Sequence, residues 1–585
     1  MYEDIFTYSF IPNFLFSFIF LIINILFSIT ISNNNHIKKL FFFNEFQPII
    51  IFYLIFCLYT FILNITILVS YKFISEIFFL ILFLQISFII INIKNSELNF
   101  SLKLKLDKIS VLLIFLSLFL ISILPISDAD SIAYISSFPA KIFYEGLNEI
   151  NLNQNLDVVL LSNTEILLLI SSILKSDNFG SQLNFISLLF LLMINFKDHK
   201  NFSLVILSSP LIIYFISAQK LQLFFGILFF LSYILINKNL LKRKVELFIF
   251  LLLLTFYSSG KLSYVLLTIP LFFYFFYINF KNWKKIFLYL IIAFSIIYLP
   301  LLILKQNNFA NIIAPFFDIF FGQNSQAYNA LSYSMRSTMG WISNPADFTQ
   351  YLRPFISLDL HQLSSSLGLV FIIMLVNLKL LKKTKYLPII LIFLILITGQ
   401  ILPRNYFEAF LLLAYFYKPE KPIIKFLINS QVLIIFLISL SFVYFAYVKY
   451  DVISYKEKYM SRFSYSFFNY QQHKKSNLNG NILDYSLDRH SIFFDKNIYS
   501  LRYLTVLNNF DNNKKKKQNL IKFILDNSIK YLEINSSYKT PKCLKTQKIN
   551  ETFRKIALRN FLIQPKKNKY EVLEIKENNC KNFEK

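Results

Sequence analysis

Two aspartates one residue apart, Asp128 and Asp130, follow directly on an apolar run that ends at Ile126. Carboxylates at the edge of hydrocarbon cost free energy unless they face water, a partner or a substrate. A positioned carboxylate can take the proton from an attacking nucleophile, so the pair suits general-base chemistry at a membrane boundary. The competing reading is structural, because Asp128, Asp130 or Ser131 could cap a helix that starts at Ile132. Capping needs only one acid. The pair could also bind a divalent cation, although two ligands do not make a site.

Other polar residues stand at similar boundaries. Lys220 and Gln222 lie in the turn Ser217–Gln222, and Lys261 ends the turn Ser258–Lys261. Either lysine could hold a phosphate, or could simply extend its amine from a helix end toward water. Arg404 lies in Gly399–Tyr406, with Glu408 one turn further on. A guanidinium matches a phosphate with two parallel hydrogen bonds, which a lysine cannot do. Glu408 reads as its partner or as a second polar lining group.

The elements that must carry these residues are apolar. Of the 585 residues 56% are hydrophobic and 70 are Phe, far more apolar surface than a soluble domain needs. The expected fold class is an all-α polytopic membrane protein of about fourteen spans with a small C-terminal α/β domain. The spans include Ser9–Ile31, Pro48–Val69, Phe73–Ile93 and Ile109–Ile126, and later Asn201–Ser217, Ile286–Ile303 and Leu367–Leu380. Four segments follow: residues 1–126 with four spans, 127–183 with the acidic motif and interfacial helices, 184–449 with the other spans and a loop at 304–366, and 450–585 as a soluble domain. After the motif, Ile132, Ile135, Phe138 and Ile142 recur at helical spacing and Pro139 breaks the run, which suits a helix lying on the membrane surface.

The formal charge is +26. The basic residues sit in short loops and the tail, where orientation and anionic lipid account for them without nucleic acid. Lysine clusters such as Lys38/Lys39, Lys238–Lys244 and Lys281–Lys285 all fall on the cytoplasmic side if Leu156–Leu174 lies along the interface instead of crossing. That parity puts the N-terminus, the aspartates and everything after Tyr450 outside. In the tail, Asn519–Asn527 reads as helix, Tyr531–Ile534 and Tyr570–Ile575 as strands, and Lys514–Lys517 as a solvated loop. Of the three cysteines, Cys57 lies within a span, whereas Cys543 and Cys580 share the outer compartment, where a disulfide could form. Closing that loop would stabilise the domain by roughly 3–4 kcal/mol in the chain-entropy picture.

The stretch Asp128-Ala-Asp130-Ser-Ile-Ala-Tyr134 resembles the acidic motif of GT-C membrane glycosyltransferases, in the bacterial branch related to lipid A and lipopolysaccharide sugar transferases. Members of that branch carry Asp-x-Asp-Ser-x-x-Tyr-His, and here Ile135 stands where the His would be. The resemblance implies a polyprenyl-phosphate-linked sugar donor and a lipid or glycan acceptor, with transfer by inversion on the outer face of a bacterial inner membrane. Membrane lipids would be the other partners. Asp128 or Asp130 would then be the base, and Lys220, Gln222, Lys261, Arg404 and Glu408 would contact substrate. Two other classes stay open. A polysaccharide polymerase or ligase would use the loop Leu304–Ser366, with Arg336, Arg353 and His361. A lipid or solute transporter would show ionisable residues buried in mid-span or helices broken in matched positions.

If an aspartate is the base, Asp128→Asn or Asp130→Asn lowers transfer by about 10²–10⁴-fold while the protein still inserts in the membrane. A reconstituted transfer assay reads this. Full activity in both single variants and the double would leave capping as the motif's role.

Overall fold

The computed structural model describes residues 9–93, 109–127, 131, 135–147, 158, 160–193, 202–309, 311–313, 366–397, 402–419, 421–464, 467, 471, 478–484, 498–500, 513–535, 543–555 and 567–578. Asp128, Asp130, Cys580 and most of the loop 304–366 lie outside these residues. Uninterrupted apolar runs form the first helices: α1 (Phe10–Asn33), α2 (Gln47–Val69), α3 (Ile74–Ile93) and α4 (Ile109–Ser122). Three short helices come next: α5 (Ser137–Glu145), α6 (Asn163–Leu167) and α7 (Leu169–Ile173). The chain then builds α8 (Phe179–Met193), α9 (Phe202–Leu207), α10 (Leu211–Ile216), α11 (Gln222–Asn237), α12 (Lys244–Ser259), α13 (Leu262–Ile278), α14 (Trp283–Ile297) and α15 (Leu299–Phe309). The last helices of the bundle are α16 (Leu369–Leu375), α17 (Leu378–Lys383), α18 (Leu387–Ile397), α19 (Phe407–Phe416), α20 (Pro422–Val443) and α21 (Lys456–Phe463).

Among the described residues four helices are long and apolar enough to cross a membrane: α1, α2, α3 with its leading turn, and α20 extended to Lys449. A fifth candidate is the pair α13 and α14, bent by 91° at its break. Several expected spans are interrupted, each for a local reason. Ser208-Ser-Pro210 splits Asn201–Ser217 into α9 and α10, since proline has no N–H to give and crowds the preceding turn. Asn377 ends α16 and caps α17 by accepting the Leu380 N–H, which divides Leu367–Leu380. Ile286–Ile303 breaks at Tyr298, and Pro300 falls in the first turn of α15. Pro139 likewise sits in the first turn of α5, so it starts that helix and does not stop it. The apolar face Ile135, Phe138 and Ile142 is buried in protein, not laid on a surface.

Polar side chains join these helices where no hydrophobic drive distinguishes protein from lipid. The Tyr59 hydroxyl donates to Gln85 Oε1 at 2.8 Å, and Gln85 Nε2 donates to Asn24 Oδ1 at 3.3 Å, linking α2, α3 and α1. The Tyr53 hydroxyl donates to the Phe224 carbonyl at 3.0 Å, linking α2 to α11.

The two ends of the bundle differ chemically. At one end Arg243 Nη1 donates to the carbonyls of Lys38 and Lys39, and Lys238 pairs with Glu45 at 3.1 Å. Buried Glu246 accepts from the backbone N–H groups of Phe42, Lys242 and Arg243 there. Two of the expected lysine clusters thus share one end. The chain around the acidic motif lies at the other, with α6 and α7. The Asn64 amide of α2 donates to Asn163 Oδ1 at 2.9 Å, and the Asp177 N–H donates to Asn13 Oδ1 of α1 at 2.9 Å. The segment from 162 to 177 therefore leaves and returns at the same end, and two five-residue helices are too short to cross.

α21 closes this end. Its first residue, Lys456, pairs with Asp177 at 3.2 Å, with 8% and 1% of the two side chains exposed. Burial pushes the Asp177 carboxyl above the ordinary carboxylate range, against the pull of Lys456. Tyr459 and Met460 pack with Phe10, Ile126 and Ala140, and Ser127 lies at the Tyr459 hydroxyl. The stretch after residue 450 thus begins as part of the bundle.

Beyond α21 stands a five-stranded sheet: β1 (Asn481–Asp484), β2 (Ile498–Ser500), β3 (Ile529–Asn535), β4 (Leu544–Lys555) and β5 (Lys567–Asn578), in the order β2-β1-β3-β5-β4. β1 runs parallel to β2 and β3, and β5 antiparallel to β3 and β4. The helix α22 (Asn513–Asp526) covers it, burying Leu520, Ile521, Phe523 and Ile524 against Leu483, Leu532 and Leu573. This helix includes Lys514–Lys517, which were expected as a loop; Leu520, Ile521, Phe523 and Ile524 further along pack on the sheet and carry the helix through them. Cys543 is disulfide-bonded and Cys57 is free and buried.

Asp177→Asn leaves a buried ammonium without its partner and is expected to cost about 3–5 kcal/mol. Pairing Asp177→Leu with Lys456→Met should recover most of that loss. Thermal unfolding in detergent measures both, and a wild-type Tm for Asp177→Asn would remove the ion pair as the clasp.

Candidate functional site

The cations expected to contact substrate meet at the end of the bundle that α21 closes, and each is held by backbone. Lys220 stands in a turn stitched down by α8. The Asn184 amide donates to the carbonyls of Phe215 at 2.9 Å and Lys220 at 2.6 Å, and its oxygen accepts from the Phe224 N–H at 3.1 Å. Ser181 Oγ donates to the Ala218 carbonyl at 3.1 Å, and the Gly180 N–H donates to Gln219 Oε1 at 2.6 Å. Gly180 has to be glycine here, since a Cβ would lie 2.5 Å from the Gln219 carbonyl oxygen. The Gln219 N–H donates to Ser131 Oγ at 3.1 Å. The residue just after Asp130 in the chain is thereby fixed to the residue just before Lys220.

Lys261 follows Gly260, whose carbonyl accepts from the hydroxyls of Ser162, at 2.7 Å, and Thr164. A side chain on Gly260 would strike the Phe225 ring at 2.8 Å. Asn163 Nδ2 donates to Ser259 Oγ at 2.8 Å and to the Ile297 carbonyl at 3.2 Å, which ties the turn to α14. Arg404 stands in the 3-10 turn Pro403–Tyr406 ahead of α19, whose proline suits a helix start. Glu408, in the first turn of α19, is 3% exposed. Its Oε1 accepts from the Tyr257 hydroxyl at 3.1 Å, and its Oε2 has no partner among the described residues.

Tyr214, on α10, joins two of these groups. Lys220 Nζ donates to its hydroxyl at 2.6 Å and Arg404 Nη1 at 2.8 Å. Two cations on one oxygen lie within roughly 5.4 Å of each other and repel by about 3 kcal/mol at an effective dielectric of 20. Lys261 feels the same field. Its amine is lowered to about 7, first by burial and then by Arg404 and Lys220, with Glu165 and Glu408 opposing. Glu165 caps α6 by accepting from the Ser162 N–H at 2.8 Å, and burial raises its carboxyl. Lys305 lies near it and is lowered to about 8, chiefly by burial. Lys220 and Arg404 thus meet on one phenol, and Lys261 lies within their electrostatic reach and that of Glu165 and Glu408.

Lys220, Lys261, Arg404 and Glu408 are thus brought together. Gln222 opens α11 with its amide oxygen buried and unpartnered among the described residues, and no contact joins it to the cations. Asp128 and Asp130 lie outside the described residues, between Ser127 and Ser131, which do not. The cation site considered at the aspartates lies there too; among the described residues no group of three or more His, Cys, Asp or Glu could hold a metal ion. Tyr214 and the Asp177–Lys456 pair have no signal in the sequence, whereas Glu165 has one, the Ser162-x-x-Glu165 spacing of a capping box. Tyr214 is one of 35 tyrosines, and Asp177 is a lone acid in a turn. Comparison with family models, curated proteins and solved structures finds no match to the chain.

An anion at this site needs Lys261 charged, so its affinity falls as pH rises through about 7. Binding raises the amine's pKa, so protons are taken up as the anion binds above that pH. Calorimetry of prenyl phosphate binding in buffers of different ionisation enthalpy reads the uptake. Lys261→Gln should abolish the uptake, and an unchanged value in that variant would assign the proton elsewhere.

Proposed function

We propose that this protein is a GT-C type glycosyltransferase that takes a sugar from a polyprenyl-phosphate carrier and passes it to a cell-envelope lipid or glycan. The observation that carries the reading is the convergence of Lys220, Lys261 and Arg404, two of them on one phenol, beside the chain that leaves the acidic motif. Asp128 or Asp130 takes the acceptor's proton as its oxygen attacks the anomeric carbon. The bond from that carbon to the carrier phosphate breaks, and the cations receive the negative charge that develops on the leaving phosphate. Positioned cations stabilise this charge more in the transition state than in the donor, which is where binding energy speeds a reaction.

An apolar cavity of about 470 Å³ supports a lipid-linked donor. It lies between α13 and α18, lined by Ile269, Pro270, Phe273, Tyr274, Leu387, Ile390 and Leu394, and by Thr384 and Lys385 just ahead of α18. Lys261 immediately precedes α13, and Arg404 comes just beyond α18. The cavity begins about 12 Å along α13 from Lys261 by helical rise, within reach of a prenyl chain whose phosphate rests on the cations. In this reading about fourteen helical segments, some broken, hold the site at the outer face of a bacterial inner membrane, and the sheet domain stands outside.

The test is transfer of labelled sugar from a polyprenyl-phosphate donor in proteoliposomes. Arg404→Lys keeps the charge but loses the planar fork, and should lower transfer about tenfold or more. Wild-type rates in both Arg404→Lys and Arg404→Ala would reduce Arg404 to a helix-end charge. Absence of any donor turnover, with carrier-free lipid moved across the bilayer instead, would replace the enzyme with a transporter.

A further inference from the structure

We propose that the cavity between α13 and α18 takes an acyl chain of an anionic phospholipid, whose phosphate rests on Lys385 at its rim. At about 470 Å³ the cavity falls within the roughly 300–1,000 Å³ of ordinary ligand pockets. Ile269, Phe273, Ile390 and Leu394 give it apolar walls, and Lys385 adds one cation. Ile269, Phe273 and Ile390 are themselves exposed, so the cavity opens sideways on the outer surface of the bundle. In a membrane that surface meets hydrocarbon, and a lipid chain can enter there.

Position along the helices decides which way the lipid points. α13 ends at Ile278, about 6 Å of helical rise beyond Tyr274, whereas Lys261 lies about 12 Å back from Ile269. Tyr274 also stacks on Tyr233 at 6.2 Å, one turn before the end of α11, and Lys238 just beyond that end pairs with Glu45. The cavity therefore lies toward the end of the bundle that holds Lys238 and Arg243.

Around the cavity that end is basic. α13 leads into Lys281, Lys284 and Lys285, and Lys382, Lys383 and Lys385 precede α18, all six of them exposed. No Asp or Glu occurs from Leu262 to Phe309 or from Ser366 to Ile397. Lysines gathered at a membrane surface attract anionic headgroups and have nothing to offer a neutral one. Tyr277, Trp283 and Tyr386 are exposed beside them in the chain, and such rings settle where hydrocarbon meets water. The headgroup belongs at this level and the chain above it.

Lys385 reaches the rim through an unusual turn. It and Tyr386 have φ of +54° and +55°, a left-handed conformation that crowds any residue carrying a Cβ. The turn closes on α17, where the Lys385 N–H donates to the Lys382 carbonyl at 3.1 Å and the Tyr386 N–H to that of Leu381 at 3.0 Å. Glycine would make the same turn without crowding, but it would leave the rim without its cation. The carrier's prenyl chain would come to this cavity from the Lys261 end, so a seated phospholipid competes with the donor. That consequence rests on the transfer reading; the phospholipid site does not.

Native mass spectrometry of the full chain in detergent, titrated with dioleoyl phosphatidylglycerol or dioleoyl phosphatidylcholine, tests the site. Phosphatidylglycerol should be retained at about tenfold lower concentration, and Lys385→Gln should bring the two lipids within about twofold. Ile390→Trp fills the cavity and keeps every lysine, and should weaken both lipids about tenfold or more. A measurement on the wild type needs no variant to fold: dihexanoyl phosphatidylglycerol, with the same headgroup on short chains, should bind at least about tenfold more weakly. Equal retention of the two dioleoyl lipids overturns the anionic occupant. Phosphatidylglycerol binding unchanged in Ile390→Trp, or as strong with short chains as with long, places the lipid on the lysines alone and overturns the cavity. A dimer that retains neither lipid puts a second copy of the chain on this face and overturns the proposal as well. No outcome involves a sugar donor, so each is distinct from failure of the transfer assay.

Discussion

Holding like charges together at the edge of an apolar body is the constraint on which the rest of the site depends. Lys220 and Arg404 share one phenol, and Lys261 is close enough for both to depress its amine. Left to themselves, these side chains would swing apart, because like charges repel and each side chain carries several rotatable bonds. The protein prevents this by fixing the backbone under each cation. Asn184 occupies the carbonyls and an N–H of the Lys220 turn, Ser162 and Thr164 hold the carbonyl before Lys261, and proline starts the Arg404 turn. These neutral polar groups cost little to bury because nearly every one is hydrogen-bonded.

Gly180 and Gly260 show how tight that arrangement is. Each lacks a side chain where a Cβ would meet a neighbour at 2.5 to 2.8 Å. In a chain with only 9 glycines, two of them stand under the two lysine turns. Close approach of backbone to backbone at Gly180 brings α8 against the Lys220 turn, and the flat contact of Gly260 with Phe225 brings α12 against α11.

Much of this was legible in the residue pattern, and the rest was not for identifiable reasons. Long apolar runs mark α1, α2, α3 and α20 without ambiguity. The lysine clusters separate the two ends, and charged residues at turn positions point to Lys220, Lys261, Arg404 and Glu408. Interruptions such as Ser208-Ser-Pro210 and Asn377 are local choices between continuing a helix and capping one, and hydropathy averaged over a window passes over them. The helix through Lys514–Lys517 was hidden because its lysines mask an apolar face that shows only when the sheet is present. Tyr214 was beyond reach because its role is set by contacts from residues 6 and 190 positions away.

The described residues on either side of the acidic pair are each held by a different part of the protein. Ile126 is buried with Tyr459 and Met460 of α21, and Ser127 lies at the Tyr459 hydroxyl. On the far side, Ser131 accepts from the Gln219 N–H. Ser127 thus meets a helix from the C-terminal part of the protein, and Ser131 meets the Lys220 turn. The anchor on α21 depends in turn on the Lys456–Asp177 pair, which holds the start of that helix against the turn before α8. α8 also carries the Asn184 that shapes the Lys220 turn. One stretch of chain, from Asp177 in the turn to Asn184 on α8, thus holds the start of α21 and shapes the Lys220 turn.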